Sequence, residues 1–238
     1  MILLDPDARP LVGHRGASAE YPENTTLAFD RALEQGVDAL ELDVRVTADG
    51  VPVVIHDPTV DRTTDGSGAV RSLVLDQVRQ LDAGCGERIP TLDEVLGRYP
   101  TTPMILEIKE VEVAADAIGV LRRHSATPRI LVGSFEHRAL APFTAAGFHR
   151  SASRRETVLC WAAARLRLTF PGFKFEAFTV PEQQGALTVV DAAFLNVARQ
   201  AGRPVHVWTV DDPARARRLR AAGVSGIITN QPSKMHDL

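Results

Sequence analysis

Cysteine is scarce in this chain. Cys85 and Cys160 are the two among 238 residues, too few for a disulfide framework and without metal-ligand spacing. They read as free thiols of a reducing compartment. Long hydrophobic runs are also missing. Nothing approaches the ~18 apolar residues that a membrane span requires. The opening Met1-Ile-Leu-Leu-Asp5-Pro6-Asp7 lacks the basic flank and long apolar stretch of a signal peptide, so a cytoplasmic location is expected. No large excess of one charge exists: the formal net charge is -3, which gives no reason to expect nucleic acid or an anionic membrane surface as a partner. Aromatic residues reach 5%, too few to insist on an apolar groove. Lysine is the rarest charged residue, with three against 24 arginines, so each lysine position carries information.

What is present is alternation. Apolar, β-prone runs begin at Leu11, Val37, Met104, Ile130, His149, Phe175, Val205 and Gly226, and stretches of helical period separate most of them. Asn24 or a following threonine can cap the first helix, and Gly36 suits its end. Eight βα units in this length predict an α/β fold, a (β/α)8 TIM barrel forming one domain over 1–238. Residues 58–101 break the pattern, with short helical candidates at 76–81 and 91–96. They are too few to bury a core of their own and read as a small insertion after the second-strand hairpin. An open doubly wound sheet is the competing architecture. It lacks support because no glycine-rich phosphate turn follows the first strand.

A barrel of this kind keeps its chemistry at the C-terminal ends of its strands. His14, Glu41, Asp43, Glu107, Lys109, Ser134 and Trp208 fall at or near such ends. Two residues apart on a strand, Glu41 and Asp43 share a face. With Glu107 they form an all-oxygen donor set that suits Mg2+ or Ca2+ better than zinc. Thr47-Ala-Asp49-Gly50-Val51 signals a hairpin. A two-residue turn at Asp49-Gly50 pairs Ala48 with Val51 and sets Asp43 opposite His56, an imidazole beside the carboxylates. His14 and His56 are the candidate general acid and base, since their unperturbed pKa lies near neutrality. In a chain that otherwise uses arginine, Lys109 reads as a compact charge for a phosphate oxygen, and Arg15 offers a bidentate fork to the same group or a structural salt bridge. Trp208 either walls the substrate pocket or belongs to the core. Together these residues describe phosphoryl-ester cleavage. Carboxylate pairs also serve glycosidases, which need neither the lysine nor the arginine.

His14-Arg15-Gly16, Pro22-Glu23-Asn24-Thr25, Glu41-Leu-Asp43-Val, Val51-Pro-Val-Val-Ile-His56-Asp57, the 89–96 stretch, Glu107-Ile-Lys109 and Val207-Trp-Thr-Val210 together resemble the glycerophosphodiester phosphodiesterases. The resemblance runs in order through Gly226-Ile-Ile-Thr229. It implies a barrel of the phospholipase-C-like type, with metal at Glu41, Asp43 and Glu107, acid/base catalysis by His14 and His56, and phosphate contact by Arg15 and Lys109. The implied reaction yields sn-glycerol 3-phosphate and an alcohol from a small-molecule glycerophosphodiester, with Mg2+ or Ca2+ as cofactor. A lysophospholipase D-type activity is the nearest alternative. A non-catalytic phosphodiester or metal binder would be favoured by a missing histidine or carboxylate, and none is missing. The family often ends Thr-Asp-x-Pro where this chain has Thr229-Asn230-Gln-Pro232, so a carboxylate role there does not carry over. Residues 170–189 match least.

Overall fold

A computed structural model describes residues 1–168, 172–236 and 238; of the poorly matching 170–189 stretch, 170 and 171 lie outside the described residues. In chain order the elements are β1 (Leu11–His14), α1 (Thr26–Glu34), β2 (Ala39–Val46), β3 (Pro52–Val54), α2 (Leu75–Val78), α3 (Leu92–Arg98), β4 (Met104–Ile108), α4 (Ala114–Arg123) and β5 (Ile130–Gly133). Then come α5 (His137–Ala145), β6 (His149–Arg150), α6 (Arg154–Arg165), β7 (Phe178–Pro181), a small hairpin of β8 (Gln183–Gln184) and β9 (Leu187–Thr188), α7 (Ala192–Gln200), β10 (Val205–Trp208), α8 (Pro213–Ala222) and β11 (Gly226–Thr229).

Strand residues are buried on both faces, as parallel strands between an interior and a helical layer must be. One set, Val12, Ala39, Ile105, Leu131, Ala177 and Ile228, clusters inside with Leu3. The alternate set, including Leu40, Leu42, Met104, Leu106, Ile130, Val132 and Ile227, packs outward in the larger core. The parallel strands run in the order β6-β5-β4-β2-β1-β11-β10-β7. A parallel bridge between Ser151 and Ala177 links the two ends of that path, with Ala152 N donating to Ala177 O (2.9 Å) and Glu176 N to Arg150 O (2.9 Å). The result is the curled TIM-barrel architecture, not the open sheet. The strand expected from Phe175 forms its ladder only from Phe178, because Glu176 and Ala177 before it make the link to β6. That side is reinforced by a buried ion pair. Glu156, in the capping box of α6 with Ser153, takes both terminal nitrogens of Arg150 at 2.7 and 2.8 Å.

Capping sets how α1 meets the barrel. Thr25, not Asn24, accepts the Ala28 N–H at its start, and Glu87 from the 58–101 stretch accepts from Thr26 Oγ1 (2.7 Å) and Leu27 N (3.2 Å). That stretch supplies Val60, Val70, Val78, Ala83 and Ile89 to a third apolar cluster with Val53 and Ile55. Cys85 and Cys160 are free thiols. Among the described residues no helix is long and apolar enough to cross a membrane.

The hairpin after β2 departs from expectation by one residue. Its pairs are Val44 with Val54, Arg45 with Val53 and Val46 with Pro52, and Thr47 N donates to Val51 O (3.0 Å). The loop therefore holds three residues, 48–50, with Gly50 at φ +79°, the left-handed position that a three-residue loop assigns to glycine. Thr47 decides this length, its hydroxyl binding Asp49 Oδ1 (2.6 Å) and accepting from Val51 N (3.0 Å). Asp43 consequently faces Ile55, whose N–H reaches Asp43 O at 3.0 Å. His56 falls beyond the strand.

Inside the barrel, His206 is fully buried. Its Nε2 lies 2.9 Å from Leu3 O, while Nδ1 has no hydrogen-bond partner among the described residues. Burial pushes its pKa down to about 4, the Leu3 carbonyl offsetting only part of that effect. A histidine held neutral contributes stability that is complete above the unfolded value near 6.5 and is lost as pH falls toward about 4. Between pH 7 and pH 5 this loss is expected to be on the order of 2 kcal/mol. Urea midpoints at the two pH values should therefore differ less in His206→Leu than in the parent protein. Equal differences would exclude the histidine as the cause.

Candidate active site

The loop after β1 carries the first part of the site. Arg15 and Gly16 both adopt positive φ, +55° and +84°. At Gly16 a Cβ would stand 2.5 Å from the Ala28 carbonyl carbon, so only glycine lets α1 pack onto this turn. The turn folds over β2: Arg15 N donates to Glu41 O (2.9 Å) and lies 3.2 Å from Glu41 Oε2. Its guanidinium then reaches Asp43 Oδ2 with Nε (3.0 Å) and Glu23 Oε1 with Nη1 (3.0 Å).

Strand pairing supplies the rest. His14 stands beside Glu41 across β1 and β2, and Asp43 beside Glu107 across β2 and β4. Glu41, Asp43 and Glu107 each offer a carboxylate oxygen within 4.8 Å of the others. Just past β4, Lys109 Nζ lies 2.9 Å from Asp43 Oδ1 and 2.8 Å from Glu107 Oε1. Asn24, buried at 3% exposure, donates to Asp43 Oδ2 (2.9 Å).

Burial together with the like charges of Asp43 and Glu107 raises the Glu41 carboxyl well above the usual range. Asp43 is buried too, but Lys109 and Arg15 outweigh that and hold it below its usual value. Lys109 is correspondingly raised, its burial overcome by Asp43 and Glu107. With all three ionised, Glu41, Asp43 and Glu107 exceed Lys109 and Arg15 by one negative charge, and among the described residues Asp43 Oδ1 and Glu107 Oε1 have an ion-pair partner but no well-angled hydrogen bond. An all-oxygen cluster of this charge fits a hard divalent cation.

His14 and His56 share one arrangement. His14 Nδ1 lies 2.6 Å from Asn230 Oδ1, and its Nε2 is 3.8 Å from Glu41 Oε2. Burial and the Arg15 charge lower the His14 pKa, the Asn230 contact opposing them in part. His56 Nδ1 lies 2.6 Å from Asp57 Oδ1. Arg62 binds Asp57 through Nε (2.6 Å) and Glu23 through both terminal nitrogens (2.8 Å), and this pairing holds the Asp57 carboxyl far below its usual value. His56 is thus tied to Arg15 through Asp57, Arg62 and Glu23, and not through the β2–β3 ladder. Trp208 is half-buried against the interior cluster and meets the exposed Phe135 ring edge-on at 5.9 Å.

Of the residues singled out in the sequence, Glu41, Asp43, Glu107, Lys109, Arg15 and His14 are brought into direct contact. His56 joins them through the ion-pair chain, and Trp208 stands at the rim beside Phe135. No site role was legible for Asn24, Asp57, Asp211 or Asn230. The only signals were their places in or beside the quoted motifs.

A sequence profile described as the Glycerophosphoryl diester phosphodiesterase family matches residues 14–234. A glycerophosphodiester phosphodiesterase of Caldanaerobacter subterraneus is 33% identical over 248 residues, spanning 96% of each chain. Among solved structures, a glycerophosphodiester phosphodiesterase from Agrobacterium tumefaciens is 28% identical with a TM-score of 0.78, over 97% of this chain and 100% of that one. A phosphodiesterase of Oleispira antarctica, solved in complex with the product sn-glycerol-3-phosphate, is also 28% identical, with a TM-score of 0.78 over 96% and 95%. On the match of profile, relatives and architecture, the chain belongs to the glycerophosphoryl diester phosphodiesterase family and is an enzyme of that class.

Proposed function

We propose that the protein hydrolyses small glycerophosphodiesters to sn-glycerol 3-phosphate and an alcohol, with Mg2+ or Ca2+ held by Glu41, Asp43 and Glu107. The observation that carries this reading is the convergence of those three carboxylates within 4.8 Å at the mouth of the barrel. When bound, the dication supplies neutralisation of negative charge on the phosphate. With the dication added to the three carboxylates and to Arg15 and Lys109, the centre carries one positive charge, the complement of a singly charged phosphodiester.

Lys109 Nζ and Arg15 Nη2 bind the non-bridging oxygens. His14 and His56 move the protons. Each is engaged at Nδ1, and Nε2 is the atom left for exchange. One imidazole takes the proton of the attacking oxygen as its bond to phosphorus forms; that oxygen is a water's, or the neighbouring glycerol hydroxyl's, in which case the cyclic phosphate so formed is opened by a water in a second step. The other gives a proton to the alkoxide as the phosphorus–oxygen bond to the alcohol breaks. Trp208 walls the substrate pocket. We read 1–238 as one domain, 58–101 as an insertion within it, and the cytoplasm as its compartment.

Glycerol 3-phosphate release from glycerophosphocholine, measured with Mg2+, with Ca2+ and with EDTA, tests the proposal. Turnover is expected with at least one cation, to be lost in EDTA and to return on re-addition. Activity indifferent to chelation would contradict the metal assignment.

A further inference from the structure

Asn230, in the Thr229-Asn230-Gln-Pro232 segment at the end of β11, is held between two polar groups of opposite demand. Asn230 Nδ2 donates to Asp211 Oδ2 (2.8 Å). Asp211 Oδ1 accepts from Asn230 N (2.7 Å) and from Thr229 Oγ1 (3.0 Å). The other end of the amide, Oδ1, lies 2.6 Å from His14 Nδ1 and 2.8 Å from Ser18 Oγ. A carboxylate only accepts, so Asp211 dictates that the amide nitrogen faces it. The amide oxygen must then face His14. An amide oxygen likewise only accepts, so His14 Nδ1 must carry the proton, and its lone pair sits on Nε2, the atom directed at Glu41.

We infer that Asp211 is a positioning residue for the hydrolysis: acting through the Asn230 carboxamide, it selects the His14 tautomer that leaves Nε2 free as a proton acceptor. The inference rests on the reading that His14 exchanges a proton with substrate. Asp211 itself touches neither His14 nor any carboxylate of the cluster among the described contacts. The same logic recurs in hydrolases where a carboxylate fixes the tautomer of a catalytic histidine. Here an amide stands between the two.

Asp211→Asn changes one atom at the far end of this chain. Its new amide nitrogen meets Asn230 Nδ2, two donors face each other, and Asn230 relaxes by turning over. The Asn230 Nδ2 then points at His14 Nδ1, which must become the acceptor, moving the proton to Nε2. The exchange Asp211→Asn with Asn230→Asp restores every donor and acceptor: position 211 donates to 230, and the carboxylate at 230 accepts from His14 and Ser18.

The test compares the parent protein, Asp211→Asn, the double exchange and His14→Ala, reading kcat and KM for glycerophosphocholine, the thermal midpoint, and the His14 ring tautomer by 15N NMR. Asp211→Asn is expected to show the Nε2–H tautomer and a kcat lower by ~10- to 100-fold, the range for losing an orienting partner of a functional histidine, with KM and melting temperature little changed. The double exchange is expected to recover the Nδ1–H tautomer and turnover within a few-fold of the parent. An unchanged tautomer in Asp211→Asn, an inverted tautomer with undiminished kcat, or a double exchange no better than the single one overturns the inference. If His14→Ala keeps its turnover, the failure lies in the role given to His14, and the inference falls with it.

Discussion

Asp43→Asn is expected to lower glycerol 3-phosphate release by at least about 10³-fold, several kcal/mol of transition-state stabilisation. Asp43 is the hub of the site. Both of its oxygens are engaged, Oδ2 by Arg15 Nε at 3.0 Å and by Asn24 Nδ2 at 2.9 Å, and Oδ1 by Lys109 Nζ at 2.9 Å. The substitution keeps the volume and removes the charge. A cation loses one of three anionic ligands. Lys109 and Arg15 lose their common anchor, and two positive groups held by Asp43 are left with Glu107 and Glu23 alone. The result separates into two measurements. Mg2+ or Ca2+ titrated calorimetrically into the variant should bind more weakly than into the parent protein, and saturating cation should restore only part of the rate. A variant with parental turnover would remove Asp43 from the site chemistry.

The second large effect is expected at His56, where substitution by alanine should cost at least ~100-fold in turnover, the low end for a lost acid/base group. His56 is one-third exposed and anchored by Asp57, so its removal opens no core cavity and the melting temperature should hold. Asp57→Asn gives a graded companion. It keeps a possible oxygen acceptor for Nδ1 but weakens the link to Arg62, which is bound at 2.6 Å, and should fall between the parent and His56→Ala. A near-parental rate in His56→Ala would exclude the imidazole from proton transfer and leave His14 to act with solvent.

The barrel and its carboxylates were readable because both depend on local spacing. A β-strand alternates its faces every residue, so Glu41 and Asp43 had to share a face wherever β2 went. The apolar runs flanking them had to bury both sides of the strand. Lys109 stood out by the scarcity of lysine. The hairpin shows where local reading stops. Asp49-Gly50 is a turn signal, but the Thr47 hydroxyl lengthened the loop by one residue, and a one-residue slip exchanges the faces of a strand. Asp43 came to face Ile55, and His56 reached the site through Asp57, Arg62 and Glu23 instead.

By itself the sequence determined the count of βα units, the strand ends at which titratable groups collect, and the pairing of Glu41 with Asp43 on one face, since each follows from periodicity within a few residues. The tertiary structure alone decided which groups touch across long separations: Arg15 with Asp43, Glu23 with Arg62, and Asn230 between Asp211 and His14. His14 and Asn230 are 216 residues apart and meet because β1 pairs with β11 in the barrel. No local rule encodes that meeting, because hydrogen bonds of this kind exist only once distant strands have been set side by side.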